Sequence, residues 1–300
     1  GHLEHPVIKD EYWDGKKRRL VDRAISTGHF NKQVRRIFYR GSWDLGGRYH
    51  GGFWQQIAGE MRKNILINDF RTVELDFSGL HINVAYALEG ASLELQDPYE
   101  VPLLVSNNKD EQRKWVKSLA LMAFNAAEEK KAFQAFRSAQ PKGSLGKRFT
   151  DNQLEQLLTA FKEKHTPIKK YLCSDKGVEF MNIDGRIAAK VINYFTDKQE
   201  PILCVHDSFI CREQFKDELT DVMNKAVQEE LQDYQIRIDP NKEVTDLQNR
   251  INKGVLNVTS MKDLYRNRPV DTRRTEGYLL RWNEHKYWLH MIENPIYVQI

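Results

Sequence analysis

Two aspartates in the 300-residue chain each close a strand-like apolar run: Asp76 ends Val73-Glu74-Leu75-Asp76, and Asp207 ends Leu203-Cys204-Val205-His206-Asp207. An ionised carboxylate beside so much apolar chain is costly unless it is paired or bound to a metal. Either one alone reads as a strand-end carboxylate that caps the chain or points to solvent. Two of them, similarly placed on separate strands, can meet on one sheet and hold divalent cations. Mg²⁺ favours few protein carboxylates together with substrate phosphates. Two such ions about 3.5–4 Å apart clamp the attacking and leaving oxygens of a phosphoryl transfer. A second constellation is cationic. Arg113 and Lys117 stand one helical turn apart on an amphipathic segment and therefore share a face. A triphosphate would satisfy that pair, and so would solvent.

The elements that position these residues follow from periodicity and turn chemistry. Residues 12–40 read as one or two short basic helices, and the glycine-dense residues 46–52 read as a loop. Residues 71–77 alternate and are β-branched, which predicts a strand; Ser78 is then placed to cap a helix through Leu80, Val84 and Leu88 to a stop at Gly90. Residues 110–137 predict a helix with Trp115, Leu119, Met122 and Phe133 on one face, ended at residues 141–144. Further helices are predicted over 151–165, 178–195 and 213–232. Residues 201–207 predict a strand that turns into a hairpin with 208–211. Few strands separated by long helical stretches imply an α+β fold with one small antiparallel sheet flanked by helices. There is no internal repeat, and the P-loop, GxGxxG and HExxH patterns are absent.

Composition sets the outer limits. With 40% apolar and 29% charged residues the chain has a globular composition, and no apolar run approaches the roughly 18–20 residues of a membrane span. The first residues carry no apolar core of a signal peptide. Three scattered cysteines, Cys173, Cys204 and Cys211, suit neither a disulfide framework nor a zinc site, so a reducing cytoplasm is the expected compartment. The net charge of +4 is unevenly spread. Lys16, Lys17, Arg18, Arg19, Arg35, Arg36 and Arg40 load the first forty residues. Arg266, Arg268, Arg273, Arg274 and Arg281 sit among Tyr265, Tyr278, Trp282, Tyr287 and Trp288 near the end. Such mixtures neutralise phosphates and stack on bases; a solvated face beside an aromatic core edge is the plainer alternative.

The order of these segments resembles the polymerase core of family-A DNA polymerases and their relatives, the single-subunit phage and mitochondrial RNA polymerases. Gly47-Arg48-Tyr49, then Gln55-Gln56-Ile57 and Arg62-Lys63-Asn64-Ile65, resemble the stretch that precedes the first catalytic motif. Leu75-Asp76-Phe77-Ser78-Gly79-Leu80-His81 resembles motif A, and Arg113-x-x-x-Lys117 followed by Leu121 and Asn125 resembles the fingers helix of motif B. Residues 181–185, ending Asp184-Gly185, resemble the segment that touches template, and Val205-His206-Asp207-Ser208-Phe209 resembles motif C. The five blocks keep the family's order over about residues 46 to 225.

The resemblance implies a palm with a small sheet and a helical fingers subdomain. It divides the chain into a short basic helical segment over 1–45 (a reduced thumb or arm), palm over 46–105, fingers over 106–175, palm again over 176–238, and a basic, aromatic extension over 239–300. It implies a nucleotidyltransferase that extends a primer 3′-hydroxyl with nucleoside triphosphates on a DNA primer-template, with RNA as an alternative strand and a replication or processivity partner. Asp76, Asp207 and the backbone carbonyl of Phe77 would hold two Mg²⁺ ions, Mn²⁺ being the alternative. Arg113 and Lys117 would hold the triphosphate, with Lys117 protonating the leaving pyrophosphate. His81, Leu121 and Asn125 would line the nucleotide. Arg48, Gln56, Arg62, His206 and Asp184 would contact primer-template.

The chain departs from the pattern at four of these places. Ser208 stands where a glutamate follows the motif C aspartate, Asn125 where a tyrosine ends motif B, Leu121 where an aromatic stacks on the base, and His81 where a glutamate gates the sugar. A ring at position 81 would obstruct a 2′-hydroxyl and so favour deoxynucleotides. Alternatives stay open for several residues: Arg48 pairing with a carboxylate, His81 and His206 as buried hydrogen-bonded histidines, Asp184 as a helix cap. Rival functions are an RNA-synthesising or template-independent polymerase, a two-metal phosphodiesterase, and a non-catalytic nucleic-acid-binding relative.

Overall fold

The computed structural model describes residues 7–13, 18–24, 29–56, 62, 65–68, 70–93 and 97–240. Its contacts divide the chain into two units, residues 1–26 with 243–300 and residues 27–242. In the first unit β1 (Val7–Trp13) and β2 (Arg18–Ala24) form an antiparallel pair, from Val7 opposite Ala24 to Trp13 opposite Arg18. Where helices are expected over 12–40, the described residues form strands and one 3-10 turn, His29–Lys32. Val7, Ile8, Tyr12, Trp13 and Val21 favour extended chain, and they outweigh the helix propensity of the lysines and arginines among them. The basic, aromatic tail beyond residue 240 lies outside the described residues.

The second unit opens with a further hairpin, β3 (Arg35–Phe38) against β4 (Gly46–His50), with a bulge between Ile37 and Phe38. The glycine-dense segment expected as a loop is therefore a strand as far as His50. Positive φ accounts for Gly46, Gly47 and Gly51, at 76°, 94° and 127°, and the helix that carries Gly185 approaches so closely that a Cβ on Gly185 would lie 2.3 Å from the Gly47 carbonyl oxygen. Then come β5 (Leu66–Ile67) and β6 (Phe70–Phe77), followed by α1 (Leu80–Leu88). Ser78 does not cap α1. Gly79, left-handed at φ 65°, occupies the cap position, and the Ser78 hydroxyl instead accepts from Arg237 Nη2 at 3.0 Å. Gly90 does supply the stop, at φ 61°.

The single helix expected over 110–137 is two, α2 (Lys109–Asn125) and α3 (Glu129–Ala139). No proline or glycine breaks it. Tertiary structure does, because the N–H groups of Cys173 and Asp175 donate to the carbonyls of Ala123 and Ala126, at 2.6 and 2.9 Å, and replace the helical bonds there. With α4 (Asp151–Lys164), which opens on a Thr150/Gln153 capping box, these helices enclose an aromatic core in which Trp115 meets Phe149 edge-on at 4.7 Å.

The chain returns through α5 (Gly177–Asp197), β7 (Leu203–Val205), β8 (Ser208–Arg212), α6 (Lys216–Glu230) and β9 (Ile238–Pro240). The sheet order is β5-β6-β8-β7, with β9 also on β6, and every pairing is antiparallel. Val73, Leu75 and Phe77 of β6 are buried with Phe209 and Cys211 of β8, Phe180, Val191 and Phe195 of α5, and Leu219 and Met223 of α6. The fold is α+β, a small antiparallel sheet flanked by helices, as the sequence implies. Among the described residues no helix is long and apolar enough to cross a membrane.

Candidate active site

Alternation along β6 decides where the first aspartate goes. Val73, Leu75 and Phe77 enter the core, so Glu74 and Asp76 share the opposite face. Asp76 lies directly across from Ser208 on β8 and from Asp239 on β9. Asp207 occupies the two-residue turn between β7 and β8, beside Ser208, and its carbonyl accepts from the Phe77 N–H at 3.3 Å. The two aspartates, remote in sequence, thus stand on adjacent strand ends. Burial together with the like charges of Asp207, Glu74 and Asp239 pushes the Asp76 carboxyl up to about 7, against the pull of Lys117. Its side chain keeps some solvent access, and the repulsion by neighbouring acids is the part of the rise that a cation would relieve.

The cationic face of α2 looks toward this pair. Arg113, Lys117 and Leu121 follow at four-residue steps; Lys117 and Leu121 are exposed and Arg113 is half-buried. Asn125 donates to the Leu121 carbonyl at 2.8 Å and packs against Gly177, where a Cβ would lie 2.1 Å from its oxygen. Between α2 and the aspartates stands Tyr99. Arg113 Cζ and Lys117 Nζ lie 5.8 and 5.7 Å from its ring centroid, and a Cβ on Gly79 would be 3.2 Å from its hydroxyl. Burial raises Tyr99 to about 12, with Arg113 opposing and Asp97 and Asp207 adding to the rise, so the phenol stays neutral.

The loop that carries Tyr99 is clamped at several points. Asp97 accepts from the Tyr99 N–H at 3.0 Å and pairs with the Arg113 guanidinium. Lys164 Nζ donates to the carbonyls of Asp97 and Glu100 at 2.8 and 2.5 Å, and His165 Nε2 meets the Pro98 carbonyl at 2.7 Å. Burial alone would raise Asp97, but Arg113, the Tyr99 N–H and Lys164 hold its carboxyl below the ordinary range.

Three other sequence candidates meet in the interior. Arg48 on β4 pairs with Asp184 on α5 and donates through Nη2 to His81 Nε2 on α1 at 3.0 Å. A guanidinium can only donate, so Nε2 of His81 must accept and its proton sits on Nδ1. Burial and the Arg48 charge hold His81 down at about 3. Burial pushes Asp184 up to about 7 despite the opposing pull of Arg48. Asp184 lies mid-helix and caps nothing. His206, left-handed at φ 57°, faces His50 with ring centroids 5.5 Å apart, and burial with the charges of Arg48 and His50 lowers its pKa. The Nδ1 atoms of His81 and His206 are buried without a hydrogen-bond partner among the described residues.

The remaining candidates are placed apart from this group. Arg62 forms a two-toothed pair with Glu74, at 3.0 and 2.8 Å, and Glu74 also accepts from the Ser208 hydroxyl at 2.8 Å. Gln56 is exposed; its neighbour Gln55 is the one bonded inward, to the carbonyls of Tyr49 and Cys204.

Sequence reading missed Tyr99, Asp97, Glu74 and His50. The Asp97-Pro98 turn signal just ahead of a cationic helix marks the first two, and Glu74 is two residues from Asp76 on a strand, hence on the same face.

No protein-family model matches the chain, and no curated protein does. Among solved structures, it is similar to the POL domain of Pol1 from M. smegmatis in complex with DNA primer-template and dNTP. The TM-score is 0.42 and the identity 11%, over 67% of this chain and 45% of that one.

Proposed function

We propose that the chain is a nucleotidyltransferase that extends the 3′ end of a nucleic-acid strand with nucleoside triphosphates, at a palm formed by the β6–β8 strand ends and a fingers helix formed by α2. One observation carries the reading: Asp76 and Asp207 stand side by side, and Asp76 feels the charge of Lys117, a member of the cationic face of α2. A paired anion facing paired cations, with Tyr99 between them, suits a substrate that brings both phosphate and divalent cation.

The donor set fits Mg²⁺. Two mutually repelling carboxylates with the Phe77 backbone carbonyl leave coordination positions for water and phosphate, as this ion prefers. Bound there, the ions would acidify the 3′-hydroxyl and neutralise charge on the transferring phosphoryl group. The chain's own groups do the rest. Arg113 and the Lys117 ammonium hold the outer phosphates, and Lys117 gives a proton to the departing pyrophosphate. The neutral Tyr99 phenol donates into the same space. Leu121, 48% exposed on this face, offers an apolar surface to the base. His206 beside Asp207 meets the primer end as a neutral ring. Arg48, paired with Asp184, donates to His81 and holds that ring in one tautomer beneath the sugar, and Arg62 braces Glu74.

Primer extension with deoxy- and ribonucleotides offered separately tests this. Lengthened products that require Asp76 and Asp207 are expected, with deoxynucleotides preferred. Shortened strands would instead mark a phosphodiesterase, and binding without either would mark a non-catalytic relative.

A further inference from the structure

The β3–β4 turn has features that the transfer reaction does not use. Trp43 at its tip is 78% exposed, the largest exposure of any large apolar side chain among the described residues. A scattered exposed apolar residue is ordinary; this one is held in place. Its indole meets Phe38 edge-on at 4.6 Å, and its carbonyl accepts from the buried Asn182 amide of α5 at 2.8 Å. The residues flanking it, Ser42, Asp44 and Leu45, line a cavity of about 400 Å³ whose other wall is Glu179, Asn182, Ile183 and Arg186 of α5. Pockets that hold small ligands start at about 300 Å³.

The surroundings are basic and mixed in hydrogen-bonding sense. Arg35, Arg36 and Arg40 precede the turn, Arg40 paired with Asp175 at 2.6 Å, and Arg186 on the far wall is paired with Glu230 at 2.5 Å. Arg36 lies over the Phe38 ring at 4.8 Å and donates to the Gly47 carbonyl at 2.8 Å, which stiffens the strand that leads away. That strand, β4, ends at His50 beside His206. At roughly 3.3 Å per residue, the turn begins about 13 Å from His50. A rigid aromatic among arginines is the arrangement that binds single strands without reading their sequence. Glu179 is engaged by Lys176, and Asn182 by the Trp43 carbonyl and Arg186, so the Asp44 carboxylate and the Ser42 hydroxyl are what the cavity offers a base edge.

We propose that this turn is a docking site for unpaired nucleotides: a base stacks on Trp43 and its neighbour enters the adjoining cavity. The proposal rests on the nucleotidyltransferase reading, which it extends to the single strand beyond the duplex.

The test is binding by the full chain in EDTA, without nucleotide, so that synthesis plays no part. Fluorescence anisotropy compares a duplex bearing a single-stranded template overhang with the same duplex made blunt. Wild-type protein should prefer the overhang. Trp43→Ala should weaken overhang binding about tenfold or more and leave blunt-duplex binding unchanged, while Trp43→Phe retains most of the preference. A template base analogue whose fluorescence is quenched by stacking should lose its quenching with Trp43→Ala. Equal binding of both duplexes by wild type, or an overhang preference that survives Trp43→Ala, overturns the site and points to a different partner for this face. Absence of binding to either duplex overturns the underlying function as well.

Discussion

Arg48–His81–Asp184 and Asp76–Asp207–Lys117 are both charge clusters assembled from distant segments, yet they are finished differently. In the first, the guanidinium meets a carboxylate and a ring nitrogen, Asp184 is 2% exposed, and little is left to offer a ligand except one ring N–H. In the second, two carboxylates repel each other, the cation that opposes this is an exposed lysine on another element, and Asp76 is itself exposed. A cluster whose countercharge lies inside the chain serves the fold. One whose countercharge must arrive from outside serves a ligand. The same residue types, read from sequence, cannot show which is which, because the distinction lies in distances between segments.

The sharpest way to break this contrast is to neutralise each cluster and measure both stability and activity. Asp76→Asn and Asp207→Asn should each lower strand extension by about 10⁴-fold or more, over 5 kcal/mol of transition-state stabilisation. Their melting temperatures should hold or rise, since each change removes a repulsion. Unfolding of both variants would show the carboxylates to be structural. Arg48→Ala should do the reverse to the fold. It leaves Asp184 buried without its partner, a loss of about 3–5 kcal/mol by denaturant titration. A stability change below about 1 kcal/mol would mean that Arg48 is not committed to the interior.

The parts of the fold that were legible in sequence are those set by local pattern. Residues 70–77 alternate because one face meets the core, and the helices α1, α4, α5 and α6 keep their apolar spacing. What differs has two kinds of cause, one non-local and one compositional. The break between α2 and α3 is made by backbone groups some fifty residues away, at Cys173 and Asp175. The first hairpins carry so many cations that their β-branched and aromatic residues were outvoted. For the site, Asp76, Asp207, Arg113 and Lys117 stood out as pairs. Tyr99 did not, because a lone tyrosine in a loop acquires meaning only when α2 and Gly79 close on it. Arg48 was visible, but its partner was not.

The triad can be probed more finely through pH. His81 is held at about 3, well below its unfolded value of 6.5. Between those values the unfolded chain binds a proton that the folded chain refuses. The contribution is therefore complete above pH 6.5 and is lost as pH falls toward 3. From pH 6.5 to pH 4 the loss is roughly 3 kcal/mol. His81→Gln removes the titrating group, so its denaturation midpoint should fall less steeply over that range than that of the wild type. Parallel acid limbs for the two proteins would mean that the ring takes up a proton in the folded state and is not locked by Arg48.

The loop at Asp97 is a partial case between the two clusters, and its effect should be the smallest. Its ion pair to Arg113 joins side chains that are 24% and 39% exposed, so its direct worth to stability is about 0–1 kcal/mol. Two roles fit the same geometry and predict opposite signs. As a brace, Asp97 fixes the guanidinium over the Tyr99 ring and aims it at the phosphates. Asp97→Asn then raises KM for the nucleotide about tenfold, roughly 1.4 kcal/mol, with kcat nearly unchanged. As a competitor, Asp97 occupies the guanidinium until phosphate displaces it, and the same variant lowers KM. The brace is favoured because Asp97 is itself pinned. Its carboxylate accepts from the Tyr99 N–H, and Lys164 holds its carbonyl, so it cannot swing aside to release Arg113 without dismantling the loop. Steady-state kinetics of Asp97→Asn decides the sign. Lys164→Met, which frees the loop while leaving the Asp97–Arg113 pair intact, should raise KM in the same direction if bracing is the role.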